Sequence, residues 1–194
     1  KCIMKKMLTL VLLSLSFSLS AQIADLPENI CPLLIGEKIP NTILHNDQGK
    51  ALETDDILAK KTVLVVYRGG WCPYCNSQLS DLQDIENQIL QLGYQIIAVS
   101  PDAPSFIKQT GEKKALAYQL FSDSEGVFSQ ALGIAYKKEK AKLDKFSEGK
   151  NPGFLPVPSV YVLNKKREIE FLYINPNYAK RLDGNLLLAV LKAL

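Results

Sequence analysis

The unbroken apolar run Thr62-Val63-Leu64-Val65-Val66 is followed by the turn Tyr67-Arg68-Gly69-Gly70-Trp71. Cys72-Pro73-Tyr74-Cys75 then heads a helical pattern that lasts to about Gly93. A β-branched run of this kind suits a strand buried on both faces, in the middle of a sheet covered by helices. In the helical stretch, Leu79, Leu82, Ile85, Ile89 and Leu92 recur at helical spacing and form one core-facing stripe. Gly93 offers a left-handed stop, and Tyr94-Gln95-Ile96-Ile97-Ala98-Val99 is the next strand. Strand, helix and strand in this order predict a right-handed crossover with the two strands parallel. That unit commits the chain to an α/β architecture.

The two cysteines at the helix start carry the chemistry. The partial positive charge of a helix N-terminus favours a thiolate over a thiol. Cysteines placed there drop from a pKa near 8.5 to between about 3.5 and 7.5. Three residues apart on the first turn, Cys72 and Cys75 can close a short disulfide, with Cys72 expected as the exposed attacker and Cys75 as the recessed partner. Arg68 is expected close enough to favour a neighbouring thiolate. A purely structural disulfide is disfavoured, because a loop this short gains little from cross-linking. A closed zinc site needs four ligands, and the other candidates, Cys31 and the single histidine His45, lie far upstream at no ligand-like spacing. A copper site lacks its third ligand for the same reason, although thiolates suit Cu(I). No metal or cofactor is expected.

The chain has 194 residues, of which 47% are hydrophobic and 22% charged, values that suit one globular domain with a real core. A formal charge of +3, with no basic stripe interleaved with aromatics, argues against a nucleic-acid partner. Lys5-Lys6, the apolar stretch Leu8 to Leu19 and the small residues Ser20-Ala21 read as a signal peptide over 1–21, with cleavage before Gln22. A spanning helix wants about 20 apolar residues, and this run is shorter and rich in serine. The expectation is therefore an exported, periplasmic or secreted domain over 22–194, with no stable membrane insertion after leader removal. Cys2 would leave with the leader, so Cys31, Cys72 and Cys75 remain. Cys31 is read as a tolerated thiol in preference to a third redox group or an interchain cross-link.

Around this centre, Gln22 to Ile30 is expected to be a flexible N-terminus. Asp47-Gln48-Gly49-Lys50 is expected to turn an N-terminal hairpin, and Asp55 to Lys60 to form a short helical connector. A helix should run to about Lys114, with a short strand at Leu120-Phe121. Ser122-Asp123-Ser124 should cap a helix that ends at Gly133. Lys137 to Lys150, rich in lysine, reads as a solvated helix or loop inserted before the late strands. Asn164-Lys165-Lys166-Arg167 turns a hairpin between Ser159-Val160-Tyr161-Val162-Leu163 and Ile169 to Ile174. Leu186, Leu187, Val190, Leu191 and Leu194 mark a terminal helix.

From about Leu33 to the C-terminus the chain resembles the thioredoxin-like superfamily, and within it the peroxiredoxin-like branch called AhpC/TSA or redoxin. Three stretches carry the resemblance: the strand with Trp71-Cys72-Pro73-Tyr74-Cys75; Ala98-Val99-Ser100-Pro101-Asp102 with Phe121-Ser122-Asp123; and Val157-Pro158 before the late strand. The resemblance implies a central mixed β-sheet flanked by helices. It also implies a cis Pro158 facing the thiols, and substrate contacts from Trp71, the Val157 backbone and Pro158. Aligned as a thioredoxin, Cys72 is the nucleophile and Cys75 resolves. Aligned as a peroxiredoxin, Cys75 takes the peroxidatic position. There the family's upstream proline and Thr/Ser are replaced by Arg68 and Cys72, and its late-strand arginine has no match around Val157-Pro158. The carboxylate that thioredoxins bury beneath the disulfide aligns with Val66. Either template implies thiol-dependent reduction of disulfides or peroxides, with an external thioredoxin-like dithiol restoring the pair.

Overall fold

The computed structural model describes residues 23–194, so the expected leader lies outside the described residues. The central sheet is built from β1 (Ile43–His45), β2 (Ala51–Glu53), β3 (Thr62–Val66), β4 (Gln95–Ser100), β5 (Gln119–Ser122), β8 (Ser159–Leu163) and β9 (Ile169–Ile174). Its seven strands run in the order β2-β1-β5-β4-β3-β8-β9. β3, β4 and β5 are parallel, β1 and β8 pair antiparallel to their neighbours, and the sheet is therefore mixed. The early hairpin forms around Asn46–Lys50, with Leu44 opposite Leu52. The late one turns at Asn164, whose side chain receives the backbone N–H groups of Lys166 and Glu168.

The helices are α1 (Thr54–Ile57), α2 (Pro73–Gln91), α3 (Pro104–Lys114), α4 (Val127–Ala131), α5 (Lys140–Ser147) and α6 (Gly184–Ala193). All five residues of β3 are buried, as the uninterrupted apolar run predicts. Val63 and Val65 pack with Leu79, Ile89, Leu187 and Leu191 of α2 and α6 on one face, while Leu64 and Val66 pack with Phe128, Leu132 and Ile39 on the other. Alternation along a strand delivers successive side chains to opposite layers. Each layer thus has a core of its own.

Four expectations change in the fold. The N-terminal stretch is held rather than loose: Ala24 pairs with Tyr136, the Cys31 N–H donates to the Gly133 carbonyl at 3.1 Å, and Leu33 N–H to that of Leu132 at 3.2 Å. The lysine-rich insertion begins as β6 (Ala135–Lys137), which pairs with β7 (Phe154–Pro156) in a second, two-stranded sheet. Its helix α5 is not wholly solvated, since Leu143 and Ser147 are buried. α4 is capped from a distance: the Asp123 carboxylate accepts from Phe128 N–H at 3.0 Å and from Ser129 N–H at 2.8 Å, past the left-handed Gly126.

The fourth change concerns Pro158. No peptide bond among the described residues is cis, so the expected cis geometry is absent. The chain enters this position as a continuation of β7: the Val157 N–H donates to the Ile134 carbonyl at 2.9 Å, and Ser159 at once pairs with Val66. Extended backbone on both sides accommodates the ordinary trans bond.

Candidate active site

β3 continues one residue past its last partner, with the Tyr67 N–H bonded to the Val99 carbonyl at 2.9 Å. The chain then has to fold back sharply to start α2. Gly69 makes that possible at φ +140°, where a Cβ would run into the Trp71 indole and the Asp102 carboxylate. Gly70 N–H donates to Asp102 Oδ2 at 2.7 Å, and Asn76 Nδ2 donates to the Gly70 carbonyl at 2.7 Å. Cys72 occupies the N-cap position of α2 and Pro73 opens the helix, where its missing N–H costs nothing. Both sulfurs therefore sit at the positive end of a 19-residue helix.

The thiols are free, at the N-cap and in the first turn of α2. Both are buried: Cys72 is 1% exposed and Cys75 0%. The expectation of an exposed Cys72 is thus corrected. The Arg68 guanidinium, itself buried, reaches to 4.0 Å from Cys72 Sγ and lies 4.1 Å from the centroid of the Tyr178 ring. Tyr178 also meets Tyr74 edge-on at 5.7 Å. On the other sulfur, Arg181 Nη2 lies 3.3 Å from Cys75 Sγ while its Nη1 holds Gln78 Oε1 at 3.1 Å. Arg68 and Arg181 each keep a buried Nε–H with no acceptor among the described residues. Unpaired buried donors are uncommon and call for an explanation.

These surroundings drive the two thiols apart in acidity. The S–H and backbone N–H of Cys75 donate to the Cys72 sulfur, and with Arg68 and Arg181 they outweigh burial and bring Cys72 down to about 5. Cys75 is pushed upward, because it gives its proton to that hydrogen bond and is buried, and Arg181 offsets only part of this. The opposed directions make Cys72 the more acidic thiol of the pair. Asp102 is pushed up to about 7 by burial, against the hydrogen bond from Gly70.

The other expected site residues are distributed as follows. Trp71 is half-buried, stacks on Phe146 of α5 at 5.7 Å and lies 5.3 Å from the Arg68 guanidinium carbon. Val157 is buried in a small cluster with Tyr136, Leu143 and Leu155 against Trp71. Its N–H is already committed to the Ile134 carbonyl, so that donor is not free for a substrate strand. Pro158 is buried behind it. Cys31 is exposed and unpaired, and His45 sits in β1, three strand positions from β3.

Arg181 and Tyr178 escape sequence reasoning. They lie in the irregular stretch between β9 and α6, 106 residues from Cys75 in the case of Arg181, and no motif marks them. Arg181 brings positive charge to Cys75, where this chain lacks the family's late-strand arginine, and the Tyr178 ring covers the Arg68 guanidinium.

The model of the AhpC/TSA family matches residues 35–172. The chain belongs to this family. It is thereby a thiol-dependent oxidoreductase. Peroxiredoxin Bcp of Bacillus subtilis is 30% identical over 100 residues, covering 52% of this chain and 64% of that protein. The chloroplastic peroxiredoxin Q of Populus jackii is 26% identical over 140 residues, covering 72% of this chain and 60% of that protein. Among solved structures, reduced Prx3 from Vibrio vulnificus superposes with a TM-score of 0.71 at 18% identity, over 82% of this chain and 99% of that one. That likeness shows the thioredoxin-like fold of the peroxiredoxins.

Proposed function

We propose that this AhpC/TSA protein is a thiol peroxidase in which Cys72, the more acidic thiol, attacks and Cys75 resolves, the reverse of the roles that the peroxiredoxin alignment implies. The observation that carries the reading is the buried thiol pair flanked by Arg68 and Arg181, at 4.0 and 3.3 Å. A peroxide is small enough to reach a sulfur that is 1% exposed, whereas a protein disulfide needs the cover removed and an open backbone edge beside the thiol. The N–H that would form such an edge, on Val157, is taken.

In the first step the Cys72 sulfur attacks the terminal oxygen of the peroxide and the O–O bond breaks. Cys72 becomes a sulfenic acid, and the leaving alkoxide or hydroxide takes the Cys75 S–H proton. The unpaired guanidinium N–H groups supply donors for charge developing on oxygen. The Cys75 thiolate, steadied by Arg181, then attacks the Cys72 sulfur and expels hydroxide, leaving the Cys72–Cys75 disulfide. Condensation with a neighbour also protects the sulfenic acid from irreversible over-oxidation. A thioredoxin-like dithiol supplies the two electrons that reopen the disulfide by exchange.

Hydrogen peroxide consumption under a recycling dithiol tests this. Cys72→Ser should abolish turnover, and Cys75→Ser should stop after one equivalent with a sulfenic acid that a dimedone probe traps. Turnover surviving in Cys72→Ser would overturn the assignment of the attacking thiol. Reduction of a protein disulfide without peroxide consumption would favour the disulfide-reductase reading.

The leader pattern over 1–21 supports export to the periplasm as part of the same proposal. Mass spectrometry of protein from a periplasmic fraction should find a chain beginning at Gln22. An intact leader on cytosolic protein would remove the export reading.

A further inference from the structure

Beside the thiols, on the far side of the Gly69-Gly70 turn, lies a cavity of about 320 Å³ between the start of α2, α3 and α5. Three aromatic rings form its apolar wall: Trp71 and Phe146 stack at 5.7 Å with planes 28° apart, and Phe106 meets Phe146 edge-on at 5.5 Å. Three lysines, Lys113, Lys114 and Lys145, line the same cavity. Lys114 Nζ is steered by a hydrogen bond to Ser80 Oγ at 3.0 Å, and Lys145 Nζ lies 5.6 Å from the centroid of the Phe146 ring. None of the three has an acidic partner among the described residues. The single acidic side chain in the lining, Asp102, is buried and already receives Gly70 N–H, with Oδ1 unpaired.

Three like charges gathered at one concavity repel each other, and low-dielectric aromatic walls focus their field. The arrangement is favourable when an anion fills it. We propose that this cavity binds a small organic anion, a carboxylate carried on an aromatic or similarly flat apolar body. The body would lie against Trp71 and Phe146 and the carboxylate among the lysines. The volume is at the lower end of the range for ligand pockets, roughly 300–1,000 Å³, which suits a small molecule and excludes a folded peptide segment. The site is separate from the thiol pair, and its occupancy does not depend on peroxide chemistry.

Trp71 is the single tryptophan of the chain, so its fluorescence reports on the cavity. The probe is 3-phenylpropionate titrated into the reduced full chain, with its neutral amide, 3-phenylpropionamide, as the comparison. The acid should give a saturable change in Trp71 emission, and the amide should bind roughly tenfold more weakly or not at all. The exposed pair Lys113→Gln and Lys145→Gln, combined in one variant, should weaken the acid by a similar factor while leaving the thermal midpoint in place. Added salt should weaken the acid and not the amide. No saturable change, equal binding of acid and amide, or undiminished binding in the double variant would each overturn the proposal.

Discussion

Removing the hydrogen bond that Cys75 donates should raise the pKa of Cys72 by a readable amount. In Cys75→Ala the S–H donor disappears while Arg68 stays 4.0 Å from the Cys72 sulfur and the helix N-terminus is untouched. A hydrogen bond to a charged group contributes about 1.5–3 kcal/mol, and one pKa unit corresponds to about 1.4 kcal/mol. The Cys72 value, held near 5 in the intact pair, should therefore move up by about one to two units. The assay is the pH dependence of iodoacetamide alkylation in the reduced protein, read by mass at Cys72. Thiolate is present above the pKa, so the rate should fall as pH drops through about 5 in the intact protein, and at correspondingly higher pH in the variant. Cys75→Ser keeps an O–H donor and should shift less. Arg68→Gln should also shift the profile upward; the Coulomb energy of such a pair is about 1 kcal/mol in water and about 4 kcal/mol at the effective dielectric of a protein surface. An unmoved profile in Cys75→Ala would refute the hydrogen bond as the chief cause. A profile centred near the ordinary thiol value in the intact protein would refute the whole electrostatic account.

Other outcomes follow from the same geometry. Arg181→Gln should slow closure of the disulfide by about tenfold, equivalent to about 1.4 kcal/mol of barrier, and so prolong the sulfenic acid seen by rapid quenching with dimedone. Equal lifetimes would exclude a role in the resolving step. Asp102→Asn should stabilise the protein at pH 8 and not at pH 4. Burial raises the folded carboxyl from 3.8 to about 7, so the contribution is fully present below 3.8 and is lost as pH rises through 7. That shift sets an upper bound of about 4 kcal/mol at about 1.4 kcal/mol per unit, to be checked by urea melts across pH. Gly69→Ala should lower stability by about 1–3 kcal/mol through left-handed strain alone, with displacement of Trp71 visible in its fluorescence. An unperturbed spectrum and melting curve would show that the turn is looser than its contacts imply.

Much of the molecule is legible along the chain because its causes are local. The run Thr62–Val66 has to be a doubly buried strand, the stripe from Leu79 to Leu92 has to face a core, and Gly93 has to end the helix; β3, α2 and β4 follow with the parallel crossover these imply. The placement of Cys72 and Cys75 at a helix start is likewise a matter of neighbouring residues. What covers and charges those thiols is not local. Arg181 and Tyr178 reach the site because β9 returns along β8 and α6 packs on α2, and no property of 175–183 alone reveals that destination. The same holds for α5, whose lysine-rich surface hides Phe146 against Trp71, and for Val157, whose N–H is claimed by Ile134 from another segment. Periodicity, helix ends and turn residues act over a few positions, and they are enough to lay down β3, α2, β4 and the paired thiols. How deeply both sulfurs are covered, and that Arg181 faces Cys75, were decided only by tertiary packing, since those contacts join segments from distant parts of the chain.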